Sequence, residues 1–313
     1  MRCSFCRGEA VYEARYSGAR MCRYHFTESV ERRVKREIRA QMDLKGNTKR
    51  IAVAVSGGKD SSTLLFLLHK ILGNRKNVEI FSFTIDEGIE GYRPPGVESA
   101  RRLSERLGVE HRVLSYREAF GATLDDMVKM DSGRTIPCSI CGPMRRRLIN
   151  EASLRIGADY VALGTNLDDY AQSILMNVFR GDVARMARLG PHSTVKEGLV
   201  PRVFPLRLVP EKEVMLYAIL NGIEFDAGWC PYYSRAQRNE FRDILNSVEE
   251  RSPGTKFSIV RFYDGIRDIL ADAYQAEGLG HCRVCGSPSS SDVCPVCSFL
   301  ERVKGSGVPE QKG

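Results

Sequence analysis

The chain has 313 residues, 42% of them hydrophobic and 27% charged, and a formal charge of +8 at pH 7. This describes an ordinary soluble protein, long enough for one large core or two modest ones. No stretch approaches the ~18 uninterrupted apolar residues of a membrane span, and the opening MRCSFCRGEA has no apolar signal segment, so a cytoplasmic protein with no membrane partner is expected.

The charge is unevenly placed. Residues 1–50 hold 13 Lys/Arg against 6 Asp/Glu, and the remaining chain is close to neutral. A basic arm on a near-neutral body fits a polyanionic partner, although a solvated helix carries the same charges. The ten cysteines, in a reducing compartment, point to metal rather than disulfides. They sort without remainder into Cys3, Cys6 and Cys22 with His25; Cys138, Cys141 and Cys230; and Cys282, Cys285, Cys294 and Cys297.

In chain order, residues 1–26 form a compact Cys/His module, followed by a basic linker helix within 27–49. Val30, Val34, Ile38 and Met42 recur every four residues there, and Arg32, Arg33, Lys35, Arg36 and Arg39 occupy much of the rest. These arginines and the lysine are candidates for RNA phosphates. From 50 to 247 strands alternate with helices. Strands are expected at 51–55, 78–86, 109–116, 158–166 and 203–209, and helices at 59–72, 97–108, 167–179 and 211–220. The alternation predicts an α/β fold with a doubly wound parallel sheet and a site at the strand C-terminal ends. A helical connector (248–278), a second cysteine module (279–300) and a disordered tail (301–313) complete the chain.

The stretch AVAVSGGKDSSTLL (52–65) carries the sharpest signal. It lacks the first glycine of G-x-x-x-x-G-K-[ST], because position 53 is valine. Gly57 and Gly58 still let the backbone approach an anion, and the following helix directs free N–H groups at it. Ser56, Ser61 and Ser62 add hydroxyls, Lys59 adds a charge, and Asp60 caps the helix or orients magnesium. A packing turn explains two glycines but not the Lys-Asp-Ser-Ser after them.

Cys138 and Cys141 lie in TIPCSICGPMRRR, and Cys230 in AGWCPYY. Three thiolates leave a zinc tetrahedron incomplete. They suit three irons of a [4Fe–4S] cluster with the fourth iron open, or a persulfide carrier with a resolving thiol, or simply two incidental cysteines and a buried third. In GTNLDDYAQ, Asp168 and Asp169 sit where a strand passes into a helix, placed to bind magnesium, to assist proton transfer, or only to favour the helix dipole. Arg145, Arg146 and Arg147 offer phosphate contacts or a solvated face. Cys3-x2-Cys6 with Cys22-x2-His25, and Cys282-x2-Cys285 with Cys294-x2-Cys297, have the spacing of two four-ligand zinc sites. The first is expected both to scaffold and to present basic residues, the second to scaffold.

SGGKDS resembles the pyrophosphate loop of the N-type ATP pyrophosphatases. Together with PCSIC…C, GTNLDDYAQ and the two flanking zinc modules, it resembles the TtuA-type tRNA 2-thiouridine synthetases over residues 1–300. The resemblance implies that ATP adenylates the C2 oxygen of a tRNA uridine and that sulfur then displaces AMP. It implies a [4Fe–4S] cluster on Cys138, Cys141 and Cys230, a basic catalytic residue at Arg145, and an essential acid at Asp169 or Asp168. ATP contacts are implied at Ser56 through Ser62, at the strand end Thr84, Ile85 and Asp86, and at Gly164, with Mg2+ and two Zn2+ as further cofactors. Relatives often carry histidine and glutamate where Thr165 and Tyr170 stand, so no proton-transfer role is assigned to either. The implied partners are tRNA, a sulfur donor (a thiocarboxylated ubiquitin-like protein, a persulfide carrier or sulfide) and, as the open quaternary arrangement, a second copy in a homodimer. The competing readings are a cytidine thiolase, a lysine-adding tRNA ligase, and a zinc-dependent RNA-binding protein that senses ATP.

Overall fold

The computed structural model describes residues 1–192, 197–233, 238–274 and 280–305. A short antiparallel hairpin, β1 (Tyr12–Ala14) and β2 (Ala19–Met21), leads into α1 (Arg23–Gln41). The helix is capped at Cys22 rather than starting after the metal module, so His25 lies on its first turn. Phe26, Val30, Val34 and Ile38 form its buried stripe.

The body follows as β3 (Lys49–Ala54), α2 (Lys59–Leu72), β4 (Val78–Asp86), α3 (Arg93–Arg106), β5 (Glu110–Ser115), α4 (Tyr116–Phe120), α5 (Leu124–Met130), α6 (Pro137–Ile156), β6 (Tyr160–Ala162), α7 (Leu167–Phe179), α8 (Val183–Ala187), β7 (Arg202–Val203) and α9 (Glu211–Leu220). The sheet is parallel throughout, in the order β5-β4-β3-β6-β7. Its order reverses direction between β3 and β6, which opens a crevice at their C-terminal ends. Alternation along β3 sends Ile51 and Val53 to one face and Ala52 to the other. The first face packs on α1, α2 and α9 through Val34, Leu64, Leu68 and Tyr217. The second packs on α6 through Met144 and Leu148.

Beyond α9, α10 (Arg238–Arg251) and α11 (Thr255–Ala273) pack with α7 around Leu245, Val260, Tyr263 and Ile174. The last module pairs β8 (Gly280–His281) with β9 (Pro288–Ser289) and ends in α12 (Pro295–Gly305). Its Cys282, Cys294, Val296, Cys297 and Phe299 share one apolar cluster with Ile140, Cys141 and Met144 of α6.

The doubly wound parallel sheet is as expected, with local differences. The fourth strand covers 160–162 rather than 158–166, because Gly164 has already left the sheet to pack on α2. The fifth pairs only at 202–203; Pro205 then removes a ladder donor and the chain turns. The connector is two helices broken at Ser252-Pro253-Gly254. Residues 301–305, expected in a disordered tail, continue α12; 306–313 lie outside the described residues.

Candidate active site

The strand–helix junction after β3 is a tight turn. Gly57 has φ 84°, and a Cβ there would stand 1.9 Å from the carbonyl oxygen of Gly96 in α3. Only glycine satisfies both conditions. Gly58 caps α2 without any side-chain cap, so the first-turn amides remain for an anion. Ser56 and Ser61 bond to one another (Oγ···Oγ 3.0 Å), and Ser61 also accepts from the Ser56 amide at 2.9 Å. Ser62 is fully buried, away from the loop surface. The missing Cβ of Gly164 lets the end of β6 reach the Ser61 amide, which a Cβ would approach to 2.8 Å.

Charges alternate around the loop. Lys59 Nζ stands 2.9 Å from Asp60 Oδ2 and 2.8 Å from Glu211 Oε1. Burial opposes its charge, yet the two carboxylates hold the ammonium above its ordinary pKa. Asn166 donates to Asp60 Oδ1 at 2.9 Å, and Arg242 approaches Glu211 at 3.7 Å. Asp169 meets Arg238 at 3.4 Å, and desolvation pushes its carboxyl up to about 6, against the pull of Arg238 and with the help of Asp60 and Glu211. Three carboxylates facing three cations fit a magnesium–triphosphate, whose phosphates and metal would each take over one set of partners. Asp168 is committed elsewhere. Its Oδ1 pairs with buried Lys256 of α11, and its Oδ2 accepts the Glu211 amide at 2.8 Å, holding the start of α9.

At the end of β4, Thr84 points into the core. Its hydroxyl donates to the Val55 carbonyl at 2.6 Å and lies 3.3 Å from His111. Ile85 is also buried, and Asp86 accepts the Gly88 amide at 2.8 Å.

The three central cysteines converge from α6 and from the segment before α10. Cys138 and Cys141 share a face at the start of α6, and Cys230 sits on a segment whose Asp226 amide donates to Gly57 O at 2.8 Å. That bond ties the cysteine segment to the phosphate loop. Burial raises the thiol pKa of both Cys138 and Cys230, with Cys141 adding to it and Arg145 opposing. Arg145 donates to Cys141 Sγ at 3.0 Å and pairs with Glu87 at 3.0 Å. Half of its side chain meets solvent. Glu87 also pairs with Arg93 at 2.8 Å, and Arg93 donates to Ser56 O at 2.9 Å. A continuous polar chain therefore joins Cys141 to the phosphate loop. Sequence reasoning does not single out Glu87 and Arg93; a buried acid and a buried arginine are visible only once folded.

The terminal sets have the geometry of single-ion sites. Ligands ~2.3 Å from a tetrahedral zinc stand ~3.8 Å apart. Cys6 and Cys22 sulfurs are 3.7 Å apart, Cys285 and Cys294 likewise, and His25 Nδ1 lies 3.3 Å from Cys22 Sγ. All four ligand atoms of each set lie within 4.8 Å of one another. Among the described residues, Cys138, Cys141 and Cys230 do not close to that spacing. Three thiolates without a fourth ligand suit a four-iron cube, in which each has its own iron, better than one zinc.

The basic candidates divide. Arg32, Lys35, Arg36, Arg39 and Arg146 are exposed. Arg33 is not: it turns inward to pair with fully buried Glu213 and donates to Leu208 O at 3.2 Å. Arg147 pairs with Glu151 at 2.7 Å and lies over Phe120. Tyr170 is a core residue between Phe204 and Tyr263, donating to Gly190 O.

Residues 18–249 match the PP-loop domain, residues 2–27 the N-terminal LIM domain of the 2-thiouridine synthetase TtuA, and residues 279–298 the four-cysteine zinc finger domain of RecR. The tRNA 2-thiolation protein NcsA of Haloferax volcanii is 38% identical across 97% of this chain and 99% of its own. The chain belongs to the tRNA 2-thiolation family of PP-loop proteins. Within that family it is also similar to the tRNA-5-methyluridine(54) 2-sulfurtransferase of Pyrococcus horikoshii, at 33% identity over 96% of this chain and 93% of that one. The U34-tRNA thiolase NcsA from Methanococcus maripaludis, solved with its [4Fe–4S] cluster, superposes with a TM-score of 0.84 at 33% identity, over 100% of this chain and 99% of that chain. Family membership and fold agree with the resemblance read from the motifs. No helix among the described residues is long and apolar enough to cross a membrane.

Proposed function

We propose that this protein thiolates a tRNA uridine in the cytoplasm, using ATP to activate the C2 oxygen. The observation that carries the reading is the convergence of the three cysteines and Arg145 on one crevice with the phosphate loop. Neither half alone distinguishes a thiolase from a nucleotide sensor.

The α2 amides, Ser56, Ser61 and Lys59 bind the β- and γ-phosphates and stabilise the departing pyrophosphate. Asp60 and Glu211 hold Mg2+. The uridine C2 oxygen attacks the α-phosphate, pyrophosphate leaves, and the carbonyl oxygen becomes part of an AMP leaving group. Asp169 is the working acid of the pair: with a carboxyl pKa near 6 it holds or releases a proton close to neutrality. Asp168 only positions α9. When bound, a [4Fe–4S] cluster on Cys138, Cys141 and Cys230 leaves one iron without a protein ligand, a place to carry sulfur without releasing it to water. Arg145 steadies the Cys141 sulfur and stabilises negative charge beside C2, where sulfur adds and AMP departs. The sulfur comes from a thiocarboxylated protein, a persulfide carrier or sulfide, and the protein works as a homodimer, which sedimentation tests.

The test is an anaerobic reaction of the iron- and sulfide-loaded protein with a tRNA transcript, ATP and sulfide, followed by mass spectrometry of the digested RNA. ATP-dependent 2-thiouridine is expected, and it should vanish in Cys230→Ala while ATP binding survives. A thiocytidine product, or pyrophosphate release without any thiolated nucleoside, would overturn the reading.

A further inference from the structure

The single tryptophan of the chain, Trp229, is 67% exposed and immediately precedes Cys230. Tryptophan is ordinarily among the well-covered side chains. Nor is it loosely hung. Pro231 sets a turn closed by the Tyr233 amide donating to Cys230 O at 2.9 Å, and the flanking rings of Trp229 and Tyr233 meet edge to face at 5.0 Å. Arg242 braces Tyr233, donating to its hydroxyl at 2.9 Å with the guanidinium over the ring. An exposed aromatic face held against Tyr233 thus stands next to Cys230 in the chain. Exposed Arg146, flanked by Arg145 and Arg185, lines the same surroundings of Cys141.

We infer that Trp229 is a stacking platform for an unpaired tRNA base adjacent to the one being modified. The inference rests on the thiolation reading. A uridine buried in a helical stack cannot bring C2 to the cysteines, so it must leave the stack, and its neighbour then loses a stacking partner. An indole face braced beside the site replaces that partner for any base, because every base has a π-face. The arginines favour RNA over a protein surface, since they attract phosphates along the same approach.

Trp229 is its own reporter. Anaerobically prepared holoprotein is titrated with a tRNA transcript and with a fully paired RNA duplex, recording tryptophan emission and acrylamide quenching, while binding is measured separately by filter retention. Saturating tRNA should quench the emission and protect it from acrylamide several-fold, and the duplex should do neither. Trp229→Ala should raise the KM for tRNA by roughly five- to a hundredfold with ATP affinity unchanged, and Trp229→Phe should recover most of the loss. If tRNA binds and is thiolated while Trp229 stays equally accessible, the platform is refuted and the function stands. Emission that changes with protein concentration alone would assign Trp229 to a protein contact and refute it too. If tRNA neither binds nor is thiolated, the functional reading falls and the platform with it.

Discussion

Glu87→Gln separates the two roles of one carboxylate. In the parent, Glu87 and Arg93 are both nearly inaccessible to solvent and stand 2.8 Å apart. Removing one member of a buried pair costs about 3–5 kcal/mol when the other charge is left alone. Arg93 is not left alone: it keeps the Ile85 carbonyl, from Nε at 3.0 Å and Nη2 at 2.8 Å, and the Ser56 carbonyl at 2.9 Å. A loss of about 2–3 kcal/mol is therefore expected, or roughly 4–10 °C in the melting temperature of the zinc-loaded protein. The Arg145 pair adds little to stability, because that side chain is half exposed. Its weight falls on function, since Arg145 loses the anchor that aims it at Cys141. Thiolated nucleoside should fall about a hundredfold while ATP affinity changes less than about threefold, because the Arg93–Ser56 contact survives. Glu87→Asp, one methylene shorter, reaches one arginine at a time and should lie between. A melting temperature within about 1 °C of the parent together with thiolation within about twofold would refute the coupling. Equal loss of ATP binding and thiolation would reduce Glu87 to a folding residue.

Asp169→Asn should be more stable than the parent at pH 8 and nearly inactive. Its carboxyl, raised to about 6, is ionised there at a cost of about 1–2 kcal/mol after allowing for its partial exposure. Because the folded value lies above the unfolded one, the parent loses stability as pH rises through 6, so the variant's advantage should shrink toward pH 5; a lower melting temperature for the variant at pH 8 would contradict the burial argument. Charge reversal of Arg32, Arg36 and Arg39 together should weaken tRNA binding and flatten its salt dependence, whereas Arg33→Glu should destabilise the fold by facing Glu213; equal salt slopes before and after the triple change would remove the arm from the interface. Cys285→Ser should cost one equivalent of zinc and speed amide exchange in residues 131–148, since α12 and α6 share a core; zinc loss with unchanged exchange would confine the second module to itself.

Contiguous signals read well from sequence. The helix at 59–72 and the strand at 78–86 match observed bounds, because Gly73 and the β-rich VEIFSFTID punctuate them locally. Helix α6 escapes such a reading: Pro137, Gly142 and Pro143 look like breakers, although Ile140, Met144, Leu148 and Ala152 at four-residue spacing mark its buried stripe. The inward turn of Arg33 is within reach of the sequence, since 30, 33, 34, 37, 38 and 41 share one helical face, where Glu37 is buried as well. An expectation built on its charge alone overlooks that position. The split between Asp168 and Asp169 is not legible, because adjacent acids differ only through Lys256 and Arg238, which arrive from distant helices.

The C-terminal module bears on when the protein becomes competent. Arg302 of α12 pairs with buried Asp131 at 3.0 Å and donates to Thr135 at 3.0 Å, bracing the loop that launches α6 and its two cysteines. Those partners are separated by about half the chain, so Arg302 is made long after the cysteines it braces. During synthesis, which proceeds from the N-terminus at ~5–20 residues per second, the first zinc knuckle can close early. Arg302 and its contacts with Asp131 and Thr135 come last, after most of the chain has left the ribosome. The loop before α6 therefore gains this contact only once α12 has emerged, so the surroundings of Cys138 and Cys141 are completed late in synthesis.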